Sequence, residues 1–175
     1  VGPTGRGKST LIKLMLSLLS PTKGSVSIYS ADEKVRASES TRCNLVYVPQ
    51  GNTLFSGTIR ENLQMGDPHA TDSQMKEALY TAAADFVMEL PSGLDTQCFE
   101  AGGGLSEGQA QRIAIARALL RPGSILLLDE FSSALDNATE DLLLQRLTAK
   151  LNTRTMIFIT HRGRVIDYCD SVLRL

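Results

Sequence analysis

The sequence has few of the residues that build disulfide frameworks and structural metal sites. Its three cysteines form no CxxC pair and cannot all pair with one another, and it has only two histidines. This indicates reduced cysteines in a cytosolic protein and leaves too few close ligands for a structural zinc site. No apolar stretch approaches the ~20 residues of a membrane span. Residues 11–19 (LIKLMLSLL) come nearest, but they are short and carry Lys13. Any membrane role must therefore come through a partner or another segment.

Strong charge of either sign is also absent. The net charge is −1 and no block of like charges occurs, so nothing in the sequence marks the basic surface typical of nucleic-acid-binding proteins. The chain has 175 residues and is 42% hydrophobic, which predicts one globular domain with enough apolar material for a core.

Four short apolar runs predict an α/β fold. They are residues 45–48 (LVYV), 125–128 (ILLL), 156–160 (MIFIT) and 172–175 (VLRL). Near-continuous Val, Ile and Leu are typical of strands buried on both faces of a parallel sheet, and helical patterns lie between the runs.

Three further segments predict helices. Residues 8–19 are apolar on nearly all sides and predict a buried helix. Within residues 139–151, leucine recurs at Leu143, Leu147 and Leu151, which predicts one buried helix face. Residues 58–90 predict short helices without strands, which we interpret as a helical subdomain inserted into the α/β core.

Polar residues follow the first three apolar runs. Gln50, Asp129, Glu130 and His161 stand where the predicted strands end. Ligands of open α/β sheets bind outside the carboxyl ends of the strands. We therefore expect these four side chains to gather at one edge of the sheet, beside the loop of residues 2–9.

That loop, GPTGRGKS, matches the phosphate-binding pattern G-x-x-x-x-G-K-[ST]. Gly2, Gly5 and Gly7 allow the backbone to turn so that successive N–H groups face one anion. Lys8 supplies a positive charge to the β- and γ-phosphates, and the hydroxyl of Ser9 can bind Mg²⁺. A helix that starts near Lys8 adds the positive end of its dipole.

The run ILLLDE supplies two carboxylates. Asp129 would hold Mg²⁺ through water, and Glu130 would orient and deprotonate an attacking water. The alternative is a plain helix cap or turn after a strand. The phosphate-binding pattern elsewhere in the chain favours the catalytic interpretation.

Residues 101–120 (AGGGLSEGQAQRIAIARALL) contain a second helix start suited to phosphate. Ser106 and Gln109 fit an S-x-x-Q capping box, a local structural role that leaves the glycines at 102, 103, 104 and 108 unexplained. Glycines around a helix N-terminus let backbone N–H groups approach an anion closely. One nucleotide rarely needs two such helix starts from the same subunit.

With these motifs in this order, the sequence resembles the ATPase domain of ATP-binding cassette (ABC) transporters along essentially its whole length. The matching pieces are GPTGRGKST, VPQ, LFSGTIRENL, LSEGQAQR, ILLLDE, SALD and THR. LSEGQ corresponds to the family's signature motif, with Glu107 where glycine is commonest. LFSGTIRENL and this signature variant are most similar to the exporter-type subfamily, whose members often have a membrane domain fused upstream.

The resemblance implies a P-loop NTPase fold, a mostly parallel sheet with flanking helices and an inserted helical subdomain. The ATPase domain, residues 1–175, would comprise an α/β core (1–50 and 121–175) and a helical subdomain with the signature motif (51–120). Two such domains, as a homo- or heterodimer, would bind two ATP molecules head to tail. The loop of one subunit and the signature helix of the other would hold the same ATP. The implied cofactors are ATP and Mg²⁺.

The resemblance also implies roles for individual residues. Glu130, His161 and Gln50 would be catalytic, with His161 contacting the γ-phosphate. Ser9, Gln50 and Asp129 would bind Mg²⁺. The residues implied to contact the nucleotide, with Asp136 at the dimer interface, are Gly2, Pro3, Thr4, Gly5, Arg6, Gly7, Lys8, Ser9, Thr10, Ser106, Glu107, Gly108, Gln109 and Asp136.

Some positions depart from the family pattern. Phe131 and Ser132 replace a small residue or proline followed by threonine. Phe99 and Ala101 replace a glycine and an arginine in a loop through which exporters contact the membrane domain. The upstream antiparallel β-subdomain with its adenine-stacking aromatic is absent, and only Val1 remains of the strand before the phosphate loop. The sequence thus predicts an N-terminally truncated domain that alone binds ATP weakly, is weakly active or inactive, and self-associates.

The predicted function is Mg²⁺-dependent ATP hydrolysis that powers transmembrane transport. It would take place at the cytoplasmic face of the cell membrane, beside a transmembrane domain fused upstream. One alternative is an ABC-superfamily ATPase acting on nucleic acid or the ribosome; the lack of a basic patch and the uninterrupted sequence between Gln50 and Leu105 disfavour it. The other is a non-catalytic regulatory nucleotide-binding domain, which the presence of both Glu130 and His161 disfavours.

Overall fold

The computed structural model describes residues 7–30, 33–99 and 104–174. The helices are α1 (Lys8–Met15), α2 (Ile59–Gln64), α3 (Asp72–Thr81), α4 (Glu107–Leu120) and α5 (Asn137–Lys150). The strands are β1 (Ser27–Tyr29), β2 (Lys34–Arg36), β3 (Leu45–Val48), β4 (Gly57–Thr58), β5 (Gln97–Cys98), β6 (Ile125–Asp129) and β7 (Thr155–Ile159). Short 3₁₀ helices cover Ser40–Asn44, Asp85–Glu89, Gly93–Asp95 and Gly163–Tyr168. Within these ranges, no helix has both the length and the apolar character needed to cross a membrane.

The centre of the fold is a three-stranded parallel sheet in the order β3-β6-β7. Val48 of β3 lies opposite Leu128 of β6, and Asp129 of β6 lies opposite Ile159 of β7. This confirms the first three predicted strands and their parallel direction. Because all three strands run the same way, their carboxyl ends meet at one edge.

Strands β3 and β6 are largely buried on both faces, as their continuous apolar runs predicted, whereas β7 is exposed or half-buried before Ile159. On one face Leu45, Leu127 and Ile159 pack against Ile12 of α1. On the other face alternate side chains join a larger core with the apolar sides of α2, α3, α4 and α5; these strand residues are Val46, Val48, Leu126 and Leu128. Each fully buried leucine or valine contributes about 1.5–3 kcal/mol through removal from water. Helices α1 and α4 therefore lie on opposite faces of the sheet.

The prediction of a buried helix over residues 8–19 is wrong in length and burial. Helix α1 ends at Met15, and Ile12 is its only buried residue. Ser17 adopts a left-handed φ of 53°, which breaks the helix. Leu18 and Leu19 beyond it are exposed. The helix is covered only along the stripe that meets the sheet, so its other sides face solvent.

The predicted strand over residues 172–175 is also not found, since residues 171–174 form no strand and residue 175 lies outside the described ranges. Val172 and Leu173 are 40% and 63% exposed. A strand inside a parallel sheet needs cover on both faces. These side chains lack that cover.

Two short antiparallel ribbons are missed by the sequence analysis. Strands β1 and β2 pair with Ser27 opposite Arg36. Strands β4 and β5 pair with Thr58 opposite Gln97, so the expectation of helices without strands over residues 58–90 fails at its first residue. Two- and three-residue strands carry too little alternation to stand out from loops in a sequence.

Helices α2, α3 and α4 each begin with a capping box. The pairs are Thr58 with Glu61, Thr71 with Gln74, and Ser106 with Gln109. In each box the hydroxyl accepts from the backbone N–H of the third helical residue, whose side chain accepts from the backbone of the capping residue. This confirms the capping box predicted at Ser106. The division into a core and a subdomain at 51–120 stays a prediction, because one apolar cluster joins these helices to the sheet.

The Gly66→Ala substitution is expected to destabilise the fold. A Cβ at Gly66 would lie 2.1 Å from the carbonyl oxygen of Arg117 in α4. Backbone atoms of a packed helix cannot move aside easily, so overpacking should lower the free energy of unfolding by about 1–3 kcal/mol or more.

Urea denaturation measures this effect, with Gly163→Ala as the matched control. No heavy atom lies within 4 Å of a Cβ at Gly163. The control should therefore leave the midpoint unchanged or slightly raised. Equal midpoints for the two variants would show that the α2–α4 contact is not as tight as described.

Candidate active site

Helix α1 starts at the described end of the predicted phosphate loop. Gly7 is its N-cap, with a φ of 89° in the left-handed region where glycine is favoured. The Gly7 carbonyl accepts the Leu11 N–H at 2.9 Å. Ser9 and Thr10 are exposed in the first turn, where unpaired backbone N–H groups and the helix dipole favour an anion. The other predicted nucleotide contacts of this loop lie outside the described residues; they are Gly2, Pro3, Thr4, Gly5 and Arg6.

The Glu130 carboxylate joins two other predicted site residues. Its Oε1 lies 3.2 Å from the Lys8 ammonium, and its Oε2 lies 2.8 Å from Nδ1 of His161. The side chains of Lys8 and Glu130 are only 11% and 13% exposed, whereas His161 is 61% exposed. The first turn of α1 and the ends of β6 and β7 thus bring three polar groups to one edge of the sheet.

Glu130 has an unusual backbone conformation. Its φ is 46°, in the left-handed region that a non-glycine residue adopts at a cost of about 1–3 kcal/mol. Two hydrogen bonds hold it there: its N–H donates to Ile159 O at 2.7 Å, and its carbonyl accepts from the Ser133 N–H at 3.1 Å. With this backbone conformation, the Glu130 carboxylate contacts Lys8 and His161.

Asp129 lies at the last position of β6 and is bound by a residue that the sequence analysis missed. The Tyr47 hydroxyl donates to Asp129 Oδ2 at 3.1 Å. Burial raises the pKa of Asp129, and the Tyr47 hydrogen bond partly opposes this shift. Burial together with the neighbouring Asp129 charge raises the pKa of Tyr47 to about 12, so the phenol keeps its proton at neutral pH. Tyr47 lies opposite Leu127, two residues before Asp129, so this bond depends on the pairing of β3 with β6, which the sequence alone does not reveal.

Gln50 leaves the sheet at the same edge but is not joined to the other groups. It follows β3 by two residues, its side chain is exposed, and it makes no hydrogen bond to any residue in the described ranges. The backbone before it is contacted by Gln111, whose Nε2 donates to the Pro49 carbonyl at 3.4 Å. The structure therefore links helix α4 to the Gln50 loop through a residue that sequence analysis did not single out.

The predicted signature residues form the first turn of α4. Ser106 accepts the Gln109 N–H at 3.2 Å, and Gln109 Oε1 accepts the Ser106 N–H at 2.9 Å. Ser106 and Glu107 are exposed, while Gly108 is buried. A Cβ at Gly108 would lie 2.7 Å from the Ala134 carbonyl oxygen. Only glycine allows the start of α4 to approach the loop after β6 this closely.

Asp136 caps the next helix. Its Oδ1 accepts the Thr139 N–H at 3.0 Å, and its Oδ2 accepts the Thr139 hydroxyl at 2.7 Å. These hydrogen bonds lower the pKa of the exposed Asp136 carboxyl. The capping role is a structural one, and a nucleotide or interface role for Asp136 stays a prediction.

The oxygen donors at this edge fit Mg²⁺. Ser9 offers a hydroxyl at the start of α1, Gln50 an amide oxygen beyond β3, and Asp129 a carboxylate at the end of β6. Mg²⁺ is usually held by one or two carboxylates together with water and phosphate oxygens rather than by an all-protein cage. The part of the chain that the structure describes has no cluster of three or more His, Cys, Asp or Glu residues that could hold a metal alone.

Comparison with known proteins identifies the family of the chain. Residues 1–133 match the family described as ABC transporter. The Mycolicibacterium smegmatis mycobactin import ATP-binding/permease protein IrtB is 42% identical over 176 residues, which cover 100% of this chain and 31% of that protein. The Aspergillus fumigatus ABC multidrug transporter mdr2 is 44% identical over 176 residues, covering 100% of this chain and 22% of that protein.

The same fold is found in a solved structure of a bacterial Atm1-family ABC exporter with ATP bound. The TM-score is 0.87 at 36% sequence identity, over 99% of this chain and 31% of that one. In each case the chain spans less than a third of the relative's length. The P-loop-type α/β fold, the ordered motifs and these matches agree: the chain belongs to the ABC transporter family, as part of its ATP-binding domain.

Proposed function

We propose that this chain binds and hydrolyses Mg²⁺-ATP as the motor domain of an ABC transporter. The observation that carries the proposal is the Glu130 carboxylate, which bridges Lys8 and His161 at the edge where β6 and β7 end. A carboxylate able to act as a base, in contact with both a phosphate-binding lysine and a histidine, is an arrangement suited to phosphoryl transfer to water.

Each group has one part in this reaction. The N–H groups at the start of α1 and the Lys8 ammonium would bind the β- and γ-phosphates. Glu130 would accept the proton of the attacking water, and the exposed His161 would contact the γ-phosphate. In the structure Lys8 pairs with Glu130, so ATP binding would transfer the ammonium from the carboxylate to phosphate and leave Glu130 available as a base.

Ser9, Gln50 and Asp129 would hold Mg²⁺, which when bound neutralises charge on the phosphates. The Tyr47 hydroxyl fixes one oxygen of Asp129 at 3.1 Å. The other oxygen, Oδ1, would bind the metal ion. Asp129 would in this way bind Mg²⁺ beside the phosphates held at the start of α1.

The site would be completed by a second ATP-binding domain. Ser106 at the start of α4 lies across the sheet from α1, because α1 and α4 pack on opposite faces. The two helix starts would then act on one ATP only from different subunits, in a head-to-tail homo- or heterodimer. The relatives whose names include permease, exporter or transporter support a membrane partner for the chain, and thus a place at the cytoplasmic face of a membrane.

The Lys8→Met substitution tests this proposal. Loss of a hydrogen bond from a charged donor removes about 1.5–3 kcal/mol, so affinity for ATP should fall by about 10- to 150-fold. Isothermal titration with Mg²⁺-ATP measures the loss, and phosphate release by the unchanged full-length protein establishes the activity itself.

Lys13→Met is the matched control, because Lys13 lies on the same helix but is exposed at its far end. It should bind ATP like the unchanged protein. If Lys8→Met and Lys13→Met bound ATP equally well, α1 would not be the phosphate-binding helix. Absence of Mg²⁺-dependent phosphate release from the unchanged protein would refute hydrolysis.

A further inference from the structure

Arg162 follows the predicted catalytic His161 and has no role in the site described so far. Its guanidinium reaches across to the loop after β6. Nη1 donates to the Leu135 carbonyl at 3.1 Å, and Nη2 donates to the Ser133 carbonyl at 3.1 Å. The backbone N–H of Arg162 donates to the buried Thr160 hydroxyl at 2.9 Å. The planar fork of an arginine suits two such acceptors, which a lysine ammonium could not hold in the same geometry.

A buried carboxylate also pairs with this guanidinium. Glu140 in the first turn of α5 is 0% exposed, and its Oε2 lies 3.3 Å from Arg162 Nη1. A fully buried carboxylate is costly unless it is paired. The pair therefore has two effects: Arg162 compensates the buried charge of Glu140, and Glu140 fixes the direction of the Arg162 guanidinium.

The same loop is held from its other side by α4. Gly108 of α4 packs so closely against the Ala134 carbonyl that a Cβ on Gly108 would lie only 2.7 Å from its oxygen. Three successive carbonyls, those of Ser133, Ala134 and Leu135, are thus placed by the arginine fork and by the helix start. The loop of residues 133–136 is wedged between the segment that carries His161 and the helix that carries Ser106.

We propose that Arg162 is a positioning residue: it locks the loop of residues 133–136 to the His161 segment, and so sets His161 against Glu130. Glu130 belongs to this arrangement because its carbonyl accepts the Ser133 N–H. The inference rests on the proposed ATPase function for its effect on turnover. Its structural part, the locking of the loop, is independent of that function.

The test separates positioning from neutralisation of Glu140. Arg162→Met leaves Glu140 buried without its partner, so both the melting temperature and kcat should fall. The double variant Arg162→Met/Glu140→Met removes the buried charge as well. It should recover the melting temperature, while kcat stays about 10- to 100-fold below the unchanged protein because the catalytic groups are misplaced. KM for ATP should change little, because Lys8 and the start of α1, which would bind the phosphates, are not altered. Arg162→Lys keeps the charge and should give an intermediate kcat.

Arg164→Met is the matched control. Arg164 lies on the same segment and pairs with Asp141 of the same helix α5, at 3.0 Å, but is 53% exposed. It should change neither kcat nor the melting temperature. All variants are made in the full-length protein. Recovery of kcat in the double variant would overturn the proposal, because Arg162 would then serve only to neutralise Glu140.

Hydrogen–deuterium exchange of the nucleotide-free protein tests the locking directly. The Ser133 and Leu135 N–H groups donate within the loop, to the carbonyls of Glu130 and Ser132. Their exchange should accelerate in the double variant and stay unchanged in Arg164→Met. Unchanged exchange in the double variant would refute the locking, even if the unchanged protein proved to have no ATPase activity.

Discussion

Replacing Glu130 with glutamine is expected to leave ATP binding intact and to lower turnover by about 10²- to 10⁴-fold, the usual scale for a positioned general base. Glutamine keeps the length and shape of the side chain, and it can still accept a hydrogen bond from Lys8. It cannot accept a proton from water. The left-handed backbone at residue 130 has the same cost for either side chain, so the fold should not change.

Single-turnover hydrolysis and equilibrium ATP binding, measured on the same preparation, check this prediction. Glu89→Gln is the control, because Glu89 is an exposed carboxylate in another part of the chain. It should hydrolyse ATP at the unchanged rate. A Glu130→Gln variant with normal turnover would exclude Glu130 as the base and would direct attention to His161, 2.8 Å away.

Mixing a Lys8→Ala subunit with a Ser106→Arg subunit is expected to restore nucleotide-locked dimers that neither variant forms alone. In a head-to-tail dimer the intact Lys8 of one subunit meets the intact Ser106 of the other. One composite site is then complete, and the second carries both defects. An arginine at Ser106 would block the exposed helix start of α4 without disturbing a buried residue.

The control places both substitutions in one subunit and mixes it with an unchanged subunit. Head-to-tail sharing predicts two damaged sites and no locked mixed dimer. If each subunit formed its own site, the result would be reversed, since the unchanged subunit would keep a complete site. Different affinity tags on the two subunits isolate the mixed dimer, and retention of labelled ATP after gel filtration counts the locked sites.

The elements that could be predicted from the sequence are those marked by a motif or an apolar run of adjacent residues. Strand β6 is a continuous apolar run, and the capping box at Ser106 lies within four adjacent residues, so both were predicted correctly. The apolar segment at residues 8–19 led to a wrong prediction of a buried helix, because apolar side chains alone do not show how many sides of a helix pack against other elements. Strands β1 and β2 span three residues each, too few for a pattern.

The contacts within the candidate site show the same limit. The gathering of polar groups at one sheet edge follows from parallel strands, and Lys8, Glu130 and His161 do meet there. The bonds from Tyr47 to Asp129 and from Arg162 to the Ser133 carbonyl depend on which strands are neighbours and on the path of the loop after β6. Tyr47 belongs to none of the quoted motifs, and the THR motif that includes Arg162 was used only for His161. Gln50 follows a predicted strand, but its exposed side chain is not joined to the others.

Strand β3 leaves the ribosome long before β6, the strand with which it pairs. Until β6 is synthesised, the apolar sides of Val46 and Val48 have no partner strand to cover them. Helices α2, α3 and α4 are made in between, and their capping boxes allow each to start from its own local sequence. The slow step of folding should therefore be closure of the long connection between β3 and β6, because non-local pairing must overcome the entropy of the intervening chain. Pulsed hydrogen exchange during refolding should show the α4 amides protected before those of β3, and β3 protected together with β6.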